Sequence, residues 1–146
     1  MGVNKVEVKN YDSLTVEMKK LIEKAEIARS NSYSPYSGFS LGAALLTEDG
    51  QVFTGTNIEN SSFGLSICAE RTAYFKAISE GYRAFKTLVI VTDTPEPVMP
   101  CGACRQVINE FNSDIKVLMA NFKGKITETT GRELLPASFK FNKGDF

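Results

Sequence analysis

Three cysteines and one carboxylate carry the chemistry that the sequence announces. They stand in two short stretches, Cys68-Ala69-Glu70-Arg71 and Pro100-Cys101-Gly102-Ala103-Cys104, and no other cysteine occurs in the chain. Three thiolates with an acid beside them are the inventory of a catalytic zinc site: three protein ligands, a fourth position for water, and a general acid/base. A structural zinc takes a fourth protein ligand instead. The chain contains no histidine, so zinc held through the usual soft ligands keeps an open coordination position. The plain alternative is that the cysteines are buried apolar thiols or hold a structural zinc. Against it stands the coincidence of ligand spacing, two helix starts and Glu70.

The spacing dictates where these residues must sit. Helical residues two apart point to roughly opposite sides of the cylinder, so Cys68 and Glu70 cannot share a site from mid-helix. At a helix entrance they can, because the cap and first turn reach toward the extended axis, where unpaired N–H groups gather. Cys101 and Cys104, three apart, fall on one face of a second helix start. Two helix N-termini are therefore expected to converge on the metal. Three thiolates around a divalent ion leave a formal charge of about minus one, which blunts a Lewis acid. Two helix dipoles, each equivalent to about half a charge, and the guanidinium of Arg71 offset that excess and favour thiolate over thiol.

The flanking segments supply the elements. Leu14, Met18, Leu21, Ile22, Ala25 and Ala28 recur at helical spacing from Asp12 to about Ser32, with Asp12 or Ser13 as cap. A loop crowded with Ser, Pro, Gly and three aromatics follows, ending at Phe39. Leu41 to Thr47 and Gln51 to Asn57 are β-compatible runs joined through Asp49-Gly50, a strong hairpin signal. A polar loop through Glu59 leads to Cys68 and a helix closed by Gly81. Lys86 to Thr92 reads as a strand covered on both faces, Pro100 opens the second site helix, and Ile115 to Ala120 and Lys125 to Thr129 are further strands. Arg132 to Pro136 gives a last helical turn. This order predicts an α/β fold, a three-layer α/β/α sandwich with a mixed five-stranded sheet, as one domain over 1–146 with 1–11 as a loosely held arm.

Composition narrows the function classes. The 146 residues carry seventeen basic and seventeen acidic side chains. A zero net charge argues against a polyanionic partner, so no nucleic acid is expected. The N-terminal residues lack a long apolar run and a myristoylation pattern, which predicts a soluble, cytoplasmic protein without a membrane partner. An odd cysteine count without a secretory signal points to reduced thiols, which metal binding requires.

Cys-Ala-Glu-Arg followed by Pro-Cys-Gly-Ala-Cys-Arg-Gln-Val resembles the zinc-dependent cytidine deaminase family, in its small three-cysteine form. The resemblance runs from about Ser32 to Phe139. It implies one zinc per subunit on Cys68, Cys101 and Cys104, attack of the bound hydroxide on C4 of cytosine, and Glu70 as proton shuttle. It also implies Phe39 against the base, Asn57 and Glu59 on the ribose hydroxyls, and the backbone of Ala69 at the base edge. On composition alone, Phe39 and Phe139 read as core, and for Asn57 and Glu59 the plain alternative is that they are turn residues at a strand end. Members of this form are homotetramers with shared active sites, and Phe139 is the candidate aromatic contributed by a neighbour. The substrate implied is a small nucleoside, cytidine or deoxycytidine, in pyrimidine salvage. A nucleoside antibiotic on the same scaffold, or a zinc-stabilised interaction module without turnover, are the competing functions.

Overall fold

A computed structural model describes residues 5–144. Its first helix, α1 (Val16–Arg29), starts at Thr15, whose hydroxyl accepts the Met18 N–H at 3.2 Å. The cap therefore lies beyond the expected Asp12 or Ser13. Those two residues sit in a short 3-10 turn, where the Asn10 side chain accepts the Asp12 N–H. A local Asx-type bond has taken the backbone donor that a longer helix needed.

Strands β1 (Glu7–Asn10), β2 (Leu41–Thr47), β3 (Val52–Thr56), β4 (Phe85–Thr92), β5 (Lys116–Asn121) and β6 (Lys125–Thr130) form one sheet in the order β1-β6-β5-β4-β2-β3. Only β4 and β5 run parallel, and the helix α3 (Gly102–Phe111) makes the crossover that a parallel pair needs. β2 and β3 are the expected hairpin, with Gly50 at φ 93 supplying the turn that a β-carbon would disfavour.

The sheet has six strands where five were expected. The extra one is β1, from the arm taken as loosely held, and it pairs antiparallel with β6 from Glu7↔Glu128 to Asn10↔Lys125. None of its residues is buried, and Val8 is 85% exposed. It follows that β1 satisfies the backbone groups of an otherwise open edge without a buried face, and so left no hydrophobic alternation to read. Residues 1–4 of the arm lie outside the described residues.

Alternation along the central strands builds two cores. Ala43, Leu45, Leu88, Ile90, Val117 and Met119 face α2 (Ala69–Ser79) and α3, while their neighbours Ala44, Leu46, Val89, Val91, Leu118 and Ala120 face α1. The three layers are thus helix, sheet, helix. On the two-helix side, Tyr74 of α2 and Phe111 of α3 both meet Phe85 of β4, at centroid distances of 5.1 and 5.8 Å. Each such pair contributes about 0.5–1.5 kcal/mol beyond its buried area. Together they fix the two site helices to one strand. The short helix α4 (Gly131–Leu134) follows β6, opened by a capping box between Thr130 and Glu133.

Candidate active site

Helix α2 begins at Cys68, an extended cap residue with φ −78 and ψ 157 whose sulfur makes no capping bond. The first helical bond runs from Thr72 N–H to the Cys68 carbonyl at 3.1 Å. The N–H groups of Ala69, Glu70 and Arg71 precede it and have no partner within the helix. Helix α3 begins the same way at Cys101, with φ −67 and ψ 167. Cys104 lies in its first turn and is fully buried. The three sulfurs all lie within 4.8 Å of one another, and those of Cys68 and Cys101 are 3.7 Å apart. Two helix N-termini thus meet at one cluster of thiols.

Cys68 is electrostatically biased toward thiolate. Arg71 Nη2 donates to Cys68 Sγ at 3.3 Å. A hydrogen bond from Cys104, opposed by burial and helped by Arg71 and Cys101, pulls the Cys68 thiol down to about 5. The same bond and burial push Cys104 upward, with Glu70 adding to the effect. Glu70 is 2% exposed, and burial raises its carboxyl above the usual range. Its Oε1 has no hydrogen-bond partner. An unpaired buried acceptor costs about 1–3 kcal/mol, so this oxygen is being held for something.

A cavity of about 310 Å³ opens beside it, lined by Phe39, Asn57, Glu59, Cys68, Glu70 and Arg71 among others. Asn57 is itself largely buried and ties the preceding loop together. Its Oδ1 accepts the Ser32 hydroxyl at 2.6 Å and the Leu41 N–H at 2.9 Å, while Nδ2 donates to the Phe39 carbonyl at 2.7 Å. That leaves one amide hydrogen for the cavity. Glu59 Oε1 accepts the Tyr36 and Ser37 N–H groups at 2.9 and 3.1 Å. The Ser37 hydroxyl adds to these bonds. Both residues hold the loop and line the cavity.

Ala69 is fully buried as the first residue of α2, and Phe139 is 69% exposed and does not line the cavity of its own chain. Sequence reasoning missed Ile67, Val98 and Met99, which complete the apolar wall. Their signal was adjacency: each lies within three residues of a cysteine.

Residues 15–120 match the family model described as the cytidine and deoxycytidylate deaminase zinc-binding region. The chain belongs to this deaminase family. A cytidine deaminase of Sporosarcina psychrophila is 54% identical over 125 residues, covering 85% of this chain and 92% of the relative. The crystal structure of a cytidine deaminase from Burkholderia pseudomallei superposes with a TM-score of 0.82 at 46% identity, covering 86% of this chain and all of the other. A blasticidin-S deaminase of Bacillus cereus is more distant, 33% identical over 110 residues, covering 70% of this chain and 78% of the relative. The donor set of this deaminase chain fits one zinc ion per subunit: among the described residues three thiols converge and no fourth histidine, cysteine or acidic ligand joins them. The unpartnered Glu70 Oε1 beside them fits a group that handles protons on a fourth, open position.

Proposed function

We infer that this chain is a zinc-dependent hydrolase that converts cytidine and deoxycytidine to uridine and deoxyuridine with release of ammonia. The observation that carries this is the buried, unpartnered Oε1 of Glu70, in a cavity shared with three convergent thiols. Cys68, Cys101 and Cys104 would hold the zinc. When bound, the ion supplies Lewis acidity that makes water a nucleophile near neutral pH.

The residues of the chain do the rest. Glu70 Oε1 accepts the proton that the attacking water loses and passes it to N3 of the cytosine ring. A second proton follows the same route to the amino nitrogen. The C4–N4 bond then breaks as the C4 carbonyl forms, and ammonia leaves. Burial suits Glu70 to this task, because a carboxyl raised toward neutrality both takes and gives protons readily. Arg71 offsets the charge of the thiolates through its bond to Cys68.

Phe39 packs against the base, and the backbone at Ala69, ahead of the first helical bond, meets the base edge. The free hydrogen of Asn57 Nδ2 and the carboxylate of Glu59 take the ribose hydroxyls. The exposed Phe139 completes the site of a neighbour in a homotetramer with shared active sites. The chain works as one domain over 1–146, in the cytoplasm, where thiols stay reduced, and its products enter pyrimidine salvage. No described helix is long and apolar enough to cross a membrane.

A panel of cytidine, deoxycytidine, CMP and blasticidin S followed by ultraviolet absorbance tests the assignment. Turnover of the first two is expected. Turnover of blasticidin S alone would move the chain to antibiotic deamination, and stoichiometric zinc with no turnover of any of them would make it a binding module.

A further inference from the structure

Helix α3 carries two of the three thiols on one side, and with its other polar side chains it grips the C-terminal segment. Arg105, next to Cys104, has a guanidinium with two acceptors: Nε donates to the Pro100 carbonyl at 2.8 Å and Nη1 to the Leu134 carbonyl at 2.9 Å. Pro100 immediately precedes Cys101, and the Arg105 N–H also donates to the Cys101 carbonyl at 3.0 Å. Leu134 ends α4, where the chain departs toward Phe139. Gln106, directly after Arg105, donates from Nε2 to the Phe139 carbonyl at 3.1 Å, and one helical turn beyond Arg105, Asn109 Nδ2 donates to the Gly131 carbonyl at 2.8 Å. Lys140 Nζ returns a bond to the Asn109 carbonyl.

We propose that Arg105 is a positioning residue that couples the Cys101 ligand to the C-terminal segment, so that the metal centre and the segment bearing Phe139 order each other. The inference rests on the assignment of zinc to Cys68, Cys101 and Cys104. Its physical basis is the rigid fork of a guanidinium, which satisfies two carbonyls in fixed directions where a lysine is a point charge on a flexible stem and an amide is shorter. The Pro100 carbonyl sits in a buried residue and cannot turn to water when its donor is lost, so the loop must shift and take Cys101 with it. On the other arm, the Leu134 carbonyl loses its anchor and the following residues gain freedom. Coupling of this kind is reciprocal. Metal occupancy in one subunit thereby steadies the aromatic that the subunit offers to its neighbour.

The test uses the full-length protein loaded with zinc. Chelator-driven zinc loss and amide hydrogen exchange over residues 131–141 are measured for the wild type, Arg105→Gln, Arg105→Lys and Gln106→Ala. Arg105→Gln is expected to lose zinc about 10- to 100-fold faster, the usual size of an outer hydrogen-bond effect on a metal site, and to exchange faster over 131–141. Arg105→Lys, with charge but no fork, is expected to fall between. Gln106→Ala, which releases only the Phe139 carbonyl, speeds exchange near Phe139 and leaves zinc loss unchanged. Removing zinc from the wild type speeds exchange over 131–141 more than over β1 and β6. If Arg105→Gln retains zinc like the wild type, or zinc removal leaves the segment unchanged, the coupling is wrong. Should Arg105→Gln not fold, the wild-type zinc-removal experiment and Arg105→Lys decide alone. A wild type that binds no zinc at all overturns the zinc assignment itself, a separate failure.

Discussion

The guanidinium of Arg71 points back along the first turn of α2 and donates to the sulfur of Cys68 at 3.3 Å. Ligand and counter-charge are three residues apart, the spacing that places side chains on one helix face. A thiolate that shares its charge with a cation donates less electron density to a metal, which leaves that metal more acidic. Replacing Arg71 with Gln keeps a donor and removes the charge. Zinc affinity is expected to fall about 10- to 100-fold, and kcat is expected to fall with it. Metal content and rate measured on the same sample check this, and unchanged values of both contradict it.

Glu59 gives the site a pH-dependent hinge. Its carboxyl lies below the usual carboxylate range, held there first by the Ser37 hydroxyl and then by the N–H groups of Ser37 and Tyr36. A depressed folded value means that the order it imposes is fully present above the unfolded carboxylate value of about 4.3 and is lost as pH falls through the folded value. Exchange of the Tyr36 and Ser37 amides should therefore stay protected through mildly acid pH and loosen only below the ordinary carboxylate range. Glu59→Gln should lack that acid step and raise KM for cytidine by roughly 10-fold or more, because an ionised acceptor is replaced by a neutral one. The same acid step in both proteins would assign the loop's order to another group.

Gly55 sets the distance between β3 and the start of α2. A β-carbon there would overlap the Ala69 carbonyl and the Ala73 nitrogen, both backbone atoms that cannot rotate away. Gly55→Ala must push α2 off the sheet, at a cost near the upper end of overpacking, about 3 kcal/mol. Thermal unfolding should show Tm lowered by roughly 6–12 °C, with kcat reduced because Cys68 and Glu70 move with the helix. A Tm within a degree of the wild type would show that the helix start tolerates displacement.

The proposed sharing of sites between subunits predicts complementation. Glu70→Gln chains keep Phe139, and Phe139→Ala chains keep Glu70. Mixed oligomers formed by dissociation and reassociation should regain more activity than the average of the two parents, since some sites then combine Glu70 of one chain with Phe139 of another. Light scattering should give a mass four times the 16.1 kDa of the chain. Absence of any gain in mixed oligomers would place Phe139 outside the neighbour's site.

The parts of this molecule that were legible in the sequence are those with local punctuation. Cys68 could be placed at a helix start because Glu70, two residues on, could not share its site from mid-helix, Cys101 because Pro100 precedes it, and apolar runs marked β2, β4 and β5. β1 was not legible because it has no buried face, only backbone pairing to β6. The α1 cap was misplaced because Asn10 diverts the chain into a 3-10 turn. Asn57 was legible as a polar residue at a strand end, but its bond to Ser32 spans 25 residues and no local pattern records it. Arg105 lay in plain view inside the metal motif, yet its two acceptors come from opposite directions along the chain.

The central claim is that Glu70 moves the protons of a zinc-dependent deamination. Zinc content, thermal stability and cytidine turnover of Glu70→Gln beside the wild type measure it most directly. One zinc per chain and an intact fold are expected in both proteins, with kcat reduced roughly 10²-fold or more in the variant. Near-normal turnover by zinc-loaded Glu70→Gln would contradict it.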